Sequence, residues 1–255
     1  MTAGLDIRNT DGNIVIDQNY NNLYLSRKIQ ASTLPVAEFR GHGTWVLATF
    51  YGRKIELNDN EVLVAVGREN GGNCPYWIHY GAINSANVEV PKTQYLFAAE
   101  WYYAINSSAI APWTEQGIST GISDNTQVDD DVYVYVFATN RTVTEHGYGM
   151  QVFDENGSCV YDSNDKSARV LYAGGESCNV PLNKKIAIAP CGISMCDAKT
   201  GGEEFGSAFM SGIGVYNGQT KRAVIEEGFF LQDFDLAYEW TLHNLSYIVF
   251  DVTNY

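Results

Sequence analysis

The sequence predicts an all-β protein made of two related domains in tandem, and three observations support this fold class. Short apolar stretches separated by turn residues occur along the whole chain of 255 residues. Tyr (17) and Gly (24) are abundant, whereas Pro is rare (6). No stretch of a dozen residues places its apolar positions at the helical period of about 3.6 residues. We therefore expect two β-sandwich-like domains, each opening with a β-hairpin.

The opening segment predicts the first hairpin, and the same pattern recurs in the middle of the chain. Residues 4–17 and 149–162 both contain a Gly, a strand with alternating apolar residues, an Asp-Gly or Asn-Gly turn, a second strand and a final Asp. Leu5 and Ile7 show the period of a half-buried strand, and the turn residues tolerate positive φ. A generic hairpin has the same pattern, but the equal spacings of the two copies, 145 residues apart, favour a duplication.

Further apolar runs predict the remaining strands of each half. They comprise residues 44–50, 61–66, 76–80, 94–104 and 132–139, and then 185–189, 213–216, 222–231 and 247–252. Clusters of Asn, Asp and Gly at 58–60, 69–73 and 121–131 mark turns between strands.

A second match between the halves suggests the domain boundaries. The strand that contains Phe137 precedes the second hairpin, and the strand that contains Phe250 closes the chain. If these strands are equivalent, the domains comprise residues 1–140 and 147–255, with a short polar linker from 140 to 148. The opening motifs lie 145 residues apart and the closing ones 113, so the first domain has about 32 extra residues. We expect these in surface inserts within segments 68–90 and 106–131.

The charge of the chain excludes some partners. A net charge of −14 argues against binding to nucleic acid and to anionic membrane surfaces. It is compatible with a basic protein partner, with cation binding or simply with solubility. The first residues lack the pattern of a secretory signal, and no apolar stretch approaches the roughly 18 residues of a membrane span. We therefore expect that the protein does not insert into a membrane and that it is made in a cytoplasm.

No catalytic, cofactor-binding or metal-binding residues are predicted, and we do not expect an enzyme. The four histidines are scattered, and motifs for a nucleophile elbow, a phosphate loop or a zinc protease are missing. The acidic residues at 129–131 and 203–204 lack the EF-hand spacing, which favours solvated loops over a calcium site. A glycan hydrolase, which needs two facing carboxylates, is the remaining enzymatic alternative.

The cysteines are expected to be free and mostly buried thiols. Their number is odd and no CxxC pair exists, so neither a complete disulfide framework nor a zinc knuckle is indicated. The five cysteines are Cys74, Cys159, Cys178, Cys191 and Cys196.

Both copies of the hairpin resemble the opening of small tail proteins of long-tailed bacteriophages. The first copy is Gly-Leu-x-Ile-x-Asn-x-Asp-Gly-x-x-x-Ile-Asp at residues 4–17. The second runs from Tyr148 to Ser163 and follows the strand with Val136 and Phe137, as is common in that group. The resemblance covers about a quarter of the chain and carries no catalytic residues.

The resemblance implies a structural component of a phage tail tip or tail fibre that works through contacts with other tail proteins. Proteins of this group accompany the tail-tip or host-attachment protein, and several copies, most naturally three, are expected around the tail axis. The expected location is the virion tail, after assembly in the host bacterial cytoplasm.

An alternative function is a receptor- or carbohydrate-binding module for host attachment. Trp113 is its candidate contact residue, because it lies between polar turns in one of the expected inserts. Its ring could stack on a sugar or fill a pocket of a protein partner, whereas packing against its own domain is the structural alternative.

Overall fold

The protein is all-β, as the sequence predicts. The computed structural model describes residues 6–8, 14–17, 22–42, 47–80, 93–98, 101–103, 128–139, 148–191, 195–200, 206–227, 238–242 and 246–255. Within these ranges the chain forms strands and one short 3-10 turn at Ala31–Thr33, without an α-helix.

The strands of the first half are β1 (Asp6–Arg8), β2 (Ile14–Asp17), β3 (Tyr24–Gln30), β4 (Val36–His42), β5 (Leu47–Glu56), β6 (Glu61–Arg68), β7 (Tyr76–Tyr80), β8 (Thr93–Ala98), β9 (Trp101–Tyr103) and β10 (Val132–Ala138). Those of the second half are β11 (Gln151–Phe153), β12 (Cys159–Asp162), β13 (Val170–Gly174), β14 (Ile186–Pro190), β15 (Met195–Thr200), β16 (Gly206–Tyr216), β17 (Gln219–Glu227), β18 (Tyr238–Leu242) and β19 (Tyr247–Asp251). Each apolar run identified in the sequence overlaps at least one of these strands.

A six-stranded antiparallel sheet forms the centre of the protein. Its strand order is β13–β19–β14–β6–β10–β3, so three strands come from each half of the chain. Most residues of β6, β10, β14 and β19 are buried on both faces of this sheet. Burial on both faces explains why these strands are almost continuous apolar runs rather than alternating ones.

The two edges of this sheet are joined, so that the sheet closes on itself. Residues 166–168 run antiparallel beside the start of β3. There the Leu25 amide donates a hydrogen bond to the Lys166 carbonyl (2.9 Å), and the Ala168 amide donates one to the Leu23 carbonyl (2.8 Å). The same segment continues into β13, which pairs with β19. The segment that forms one edge strand of the sheet therefore also bonds to β3, the strand at the other edge.

Apolar side chains fill the space that the closed sheet encloses. The rings of Phe137 in β10 and Phe250 in β19 stack, with their centroids 4.6 Å apart. Two strands separate β10 from β19 along the sheet, and neighbouring strands lie about 4.8 Å apart, so this contact requires a curled sheet. Other buried residues of this inner cluster are Leu63, Ala65, Tyr135, Ala187, Ala189 and Val252.

The outer face of the closed sheet packs against two further sheets. These have the orders β4–β5–β8–β7 and β18–β15–β16–β17–β9. The residues that alternate with the inner cluster along β6, β10 and β14 point outwards and contact Ile55, Ile78 and Ile213. Cys74 and Val215 exchange backbone hydrogen bonds of 2.8 and 3.0 Å, which tie the chain before β7 to β16. The main hydrophobic core therefore lies between layers that both halves build.

The two hairpins have the same strand register. In β1–β2, Ile7 pairs with Ile16, and the register then shifts by one residue before Arg8. In β11–β12, Val152 pairs with Tyr161, and the register shifts at the same point. Each paired residue of the second hairpin lies 145 positions after its counterpart in the first. Residues that lie 145 positions apart in the sequence therefore occupy the same place in the strand pairing of their hairpins.

This equivalence extends into the closed sheet. Leu25 of β3 pairs with Phe137 of β10, and Val170 of β13 pairs with Phe250 of β19. Val170 lies 145 positions after Leu25, and Phe250 lies 113 positions after Phe137, which are the offsets of the opening and closing motifs. In this correspondence β3 matches β13, β6 matches β14 and β10 matches β19. The sheet order β13–β19–β14–β6–β10–β3 is therefore symmetric, with the strands of one half followed by those of the other in reverse order.

The prediction of two tandem β-sandwich-like domains is not confirmed by this arrangement. β6 pairs with β14 at Val66 and Ile188, and β9 pairs with β17, so strands from both halves share two sheets. The boundaries 1–140 and 147–255 stay predictions, and most of the linker lies outside the described residues.

The extra length of the first half lies mainly at another place than expected. Leu63 and Ala187 occupy matching positions, since they pair with Phe137 and Phe250. The chain between β3 and β6 contains the β4–β5 hairpin, whereas the shorter chain between β13 and β14 contains no strand. This hairpin therefore accounts for more of the additional length than the segments 68–90 and 106–131.

Cutting the linker is expected to leave the two halves associated, because the shared sheets and the stacked phenylalanines hold them together. A site for a specific protease can be inserted after Arg141, and the cut protein can be compared with the intact one by size-exclusion chromatography. One peak is expected in native buffer and two in denaturant. Two peaks in native buffer would instead show that the halves are independent domains.

Candidate functional site

The second hairpin, residues 148–165, is the candidate site of contact with a partner, and its turn is well defined. The Asp154 carboxylate accepts hydrogen bonds from the backbone amides of Asn156 (2.9 Å) and Ser158 (2.7 Å). Gly157 has a φ of +81°, a conformation that glycine adopts without strain. A turn at the predicted place is therefore confirmed, but only Gly157 of the Asn-Gly pair has a positive φ, and the turn runs from Asp154 to Gly157, whose amide donates to the Asp154 carbonyl (3.1 Å).

The base of the second hairpin is held by hydrogen bonds around a buried carboxylate. Asp162 accepts one hydrogen bond from the Gln151 side chain (2.7 Å) and one from the backbone amide of Asn164 (2.7 Å). The Asn22 side chain donates to the Val160 carbonyl (3.3 Å), which fastens the hairpin to the first half. In the second copy, the spacing from Gly149 to Asp162 thus ends at a residue that organises the base of the hairpin.

The second hairpin has a small core of its own and exposes large apolar side chains. Val152 and Val160 form a separate buried cluster, with Tyr161 packed against it. Tyr148 is 87% exposed, Met150 42% and Phe153 43%. Aromatic residues and methionine are enriched in protein interfaces, so this surface is suited to contact another protein.

The charges of the second hairpin all have one sign. Residues 148–165 contain Asp154, Glu155, Asp162 and Asp165, and they contain no Lys or Arg. The second hairpin is therefore both acidic and apolar on its surface.

A second polar cluster lies at one end of the closed sheet. The Glu69 carboxylate contacts the ammonium groups of Lys28 (2.7 Å) and Lys185, and Lys28 also donates to the Tyr255 carbonyl (3.1 Å). Hydrogen bonds from Lys185 and Lys28 lower the pKa of Glu69. Through these two ion pairs Glu69, which directly follows β6, joins that strand to β3 and to the start of β14.

A third ionic group, around Asp251, fastens the end of β19. The Asp251 carboxylate contacts Lys184 (2.9 Å) and Arg169 (3.5 Å) and accepts a hydrogen bond from the Thr253 amide (3.0 Å). Burial by itself raises the pKa of Asp251, but the hydrogen bonds from Lys184 and Thr253 and the charge of Arg169 outweigh it and lower the pKa to about 2. The role of this carboxylate is therefore structural.

Acid is expected to remove the stabilisation that Asp251 provides. Its pKa is lower in the folded protein than the value of about 3.9 in an unfolded chain, so the contribution is complete above about pH 5 and is lost progressively as the pH falls through about 2. Between pH 5 and 2, the free energy of unfolding should fall by about 2 kcal/mol more in the wild type than in Asp251→Asn. Urea unfolding at several pH values measures this difference, and parallel pH profiles of the two proteins would contradict it.

Two of the three acidic residues at 129–131 form ion pairs with Arg68. Arg68 contacts Asp131 (2.9 Å) and Asp129 (2.7 Å). In the described ranges, no group of three or more His, Cys, Asp or Glu side chains is placed to hold a metal ion. Residues 203–204 lie outside these ranges.

Cys74, Cys178 and Cys191 are free thiols, as expected. Cys74 and Cys159 are buried, Cys178 is half-buried and Cys191 is exposed. Burial raises the pKa of the Cys74 thiol to about 12, so this thiol stays protonated near neutral pH. The Cys196 side chain lies outside the described part of the structure.

The one contact residue that the sequence singles out is not described. Trp113 lies outside the described residues, so its role in binding a receptor or carbohydrate stays a prediction. The side chains of the four histidines are not described either. Tyr148, Met150 and Phe153 are the candidate contact residues that sequence reasoning missed, because apolar residues in a strand pattern are expected in the core. Only their exposure distinguishes them.

Comparison with known proteins gives no relative of this chain. No family model, no curated protein and no solved structure matches it. Among the described residues, no helix is long and apolar enough to span a membrane.

Proposed function

We propose that this protein is a structural component of a bacteriophage tail tip or tail fibre and works through contacts with other tail proteins. The observation that carries the proposal is the repeated hairpin. Its sequence resembles the opening of small phage tail proteins, and both copies have the same register and the same irregularity. A hairpin retained twice in this detail is better explained by a shared role than by a chance turn pattern.

The position of the hairpins supports a role in protein contacts. Each hairpin forms its own two-stranded sheet outside the closed sheet. The second hairpin exposes the aromatic side chains of Tyr148 and Phe153. Exposed elements on a rigid scaffold are where binding residues are usually found.

We further propose that the two halves arose by duplication of one β-sandwich-like unit that opens with the hairpin and closes with the Val-Phe strand. The matching positions of Leu25 and Val170, and of Phe137 and Phe250, support a common origin. In the virion, several copies of the chain are expected around the tail axis, most naturally three, after assembly in the host cytoplasm.

The proposal is tested by locating the protein in particles. Purified virions of the phage whose genome encodes the chain are analysed by mass spectrometry and by immunogold labelling in the electron microscope. We expect labelling at the tail tip or fibres. Deletion of the gene should yield particles with a defective tip that a plasmid copy restores. Absence of the protein from purified particles would contradict the proposal.

A further inference from the structure

We propose that the second hairpin, residues 148–165, inserts into an apolar groove lined by Lys and Arg on another protein. This inference rests on the proposed function, because it assigns the surface and the chemistry of a contact that the function requires. Three properties of the hairpin carry it: the kind of exposed side chains, their directions and the uniform charge.

The exposed side chains are of the kind that dominates binding energy. Among the residues whose side-chain burial the structure describes, Tyr148 and Phe153 are the exposed large aromatic ones, and Met150 lies between them in the sequence. The other exposed large apolar residues are aliphatic and are distributed over other parts of the fold, at Val36, Val62, Val170, Leu171 and Leu182. Aromatic residues account for many interface hot spots, which sets the second hairpin apart from these positions.

The directions of these side chains favour a groove over a flat surface. Successive residues of a strand point to opposite faces, so Met150 and Phe153 lie on opposite sides of β11. Hydrogen bonds between Met150 and Ser163 keep the two strands together at the base. A partner that buries both Met150 and Phe153 must therefore enclose the hairpin from two sides.

The charge selects a basic protein over the other occupants. Residues 148–165 contain no basic residue, and three of their four acidic residues, Asp154, Glu155 and Asp165, are at least partly exposed, whereas Asp162 is buried; the whole chain has a net charge of −14. A second copy of the chain would place like charges together, and an anionic membrane would repel the hairpin. Lys and Arg around an apolar groove would instead pair with Glu155 and its acidic neighbours at the rim of the contact.

Photo-crosslinking in the culture that naturally produces the protein tests this proposal. A photoreactive phenylalanine analogue replaces Tyr148 or Phe153 in the full chain, and mass spectrometry identifies the attached peptide. We expect one partner protein, crosslinked within a segment that carries more Lys and Arg than Asp and Glu. The same analogue at Leu182, which is 91% exposed, is the matched control and should give no such product.

Two double variants measure separately how the acidic side chains and the aromatic side chains contribute to binding of the partner. The pair Asp154→Asn and Glu155→Gln keeps the turn, because Asn can still accept the hydrogen bonds of Asp154, and should lower the crosslink yield about fivefold. The pair Tyr148→Ser and Phe153→Ser should lower co-purification of the partner by about tenfold or more. Unchanged circular dichroism spectra exclude a folding defect.

Several outcomes overturn the proposal: no product at either position, a product with a second copy of this chain, or a product within an acidic segment. These results are distinguishable from failure of the proposed function. If the crosslinked partner is basic but absent from virions, the groove contact is supported and the proposed role in the phage tail is contradicted. If the protein is present in tails but gives no crosslink at the second hairpin, the role in the tail is supported and the groove contact is contradicted.

Discussion

Replacement of Gly67 by alanine is expected to destabilise the protein by about 3 kcal/mol. Gly67 lies in β6 where this strand meets β14, and a Cβ atom there would lie 2.0 Å from the Ile186 carbonyl oxygen and 3.1 Å from the Ala187 Cα. Both neighbours are backbone atoms, so no rotation of a side chain can relieve the clash. β14 must move away from β6, which weakens the junction of the two halves. Urea unfolding followed by circular dichroism measures the loss.

Val62→Ala is the matched control for this prediction. Val62 belongs to the same strand and is 48% exposed, so the loss should stay below about 1 kcal/mol. Equal unfolding midpoints for the Gly67 and Val62 variants would show that β6 and β14 do not approach each other as described.

The second large effect is expected inside the closed sheet, where Phe250→Ala should cost about 3–5 kcal/mol. Phe250 and Phe137 are fully buried and stack on each other, and the surrounding strands are fixed by hydrogen bonds on both sides. The structure can therefore collapse only partly around the cavity that the substitution leaves. Thermal and urea unfolding measure the effect.

Two further variants show whether the loss arises from the contact between the halves. Phe153→Ala removes an aromatic ring from the exposed second hairpin and should cost less than about 1 kcal/mol. The double variant of Phe137 and Phe250 should lose less stability than the two single losses added together, because each residue is part of the other's environment. Additive losses would indicate that the two rings do not share one core.

The elements that the sequence predicted are those with a local signal. β7 and β10 are apolar runs bounded by turn residues, and Gly157 supplies the positive φ that the turn of the second hairpin needs. β13 was missed, since Val170 and Leu171 are exposed and its place depends on backbone pairing with β19. Hydrogen bonds between backbone groups do not require particular side chains, so the sequence of β13 alone does not show that it pairs with β19.

The candidate site was found only partly from the sequence. The pattern located the second hairpin and its closing Asp162, because glycine and aspartate have specific roles in turns. It could not reveal that Tyr148 and Phe153 are exposed, since the period of a strand shows which residues share a face but not what covers that face.

The sequence by itself determined the all-β class, the hairpins and the offset of 145 residues between repeats, because these depend on residues close together in the chain. Only the tertiary structure decided that the two halves share one closed sheet. That result depends on contacts between distant residues, such as Val66 with Ile188 and Leu25 with Lys166. Either half has the same local pattern whether its edge strands pair with the other half or stand alone. The choice is made by the burial and hydrogen bonding gained when those edges meet.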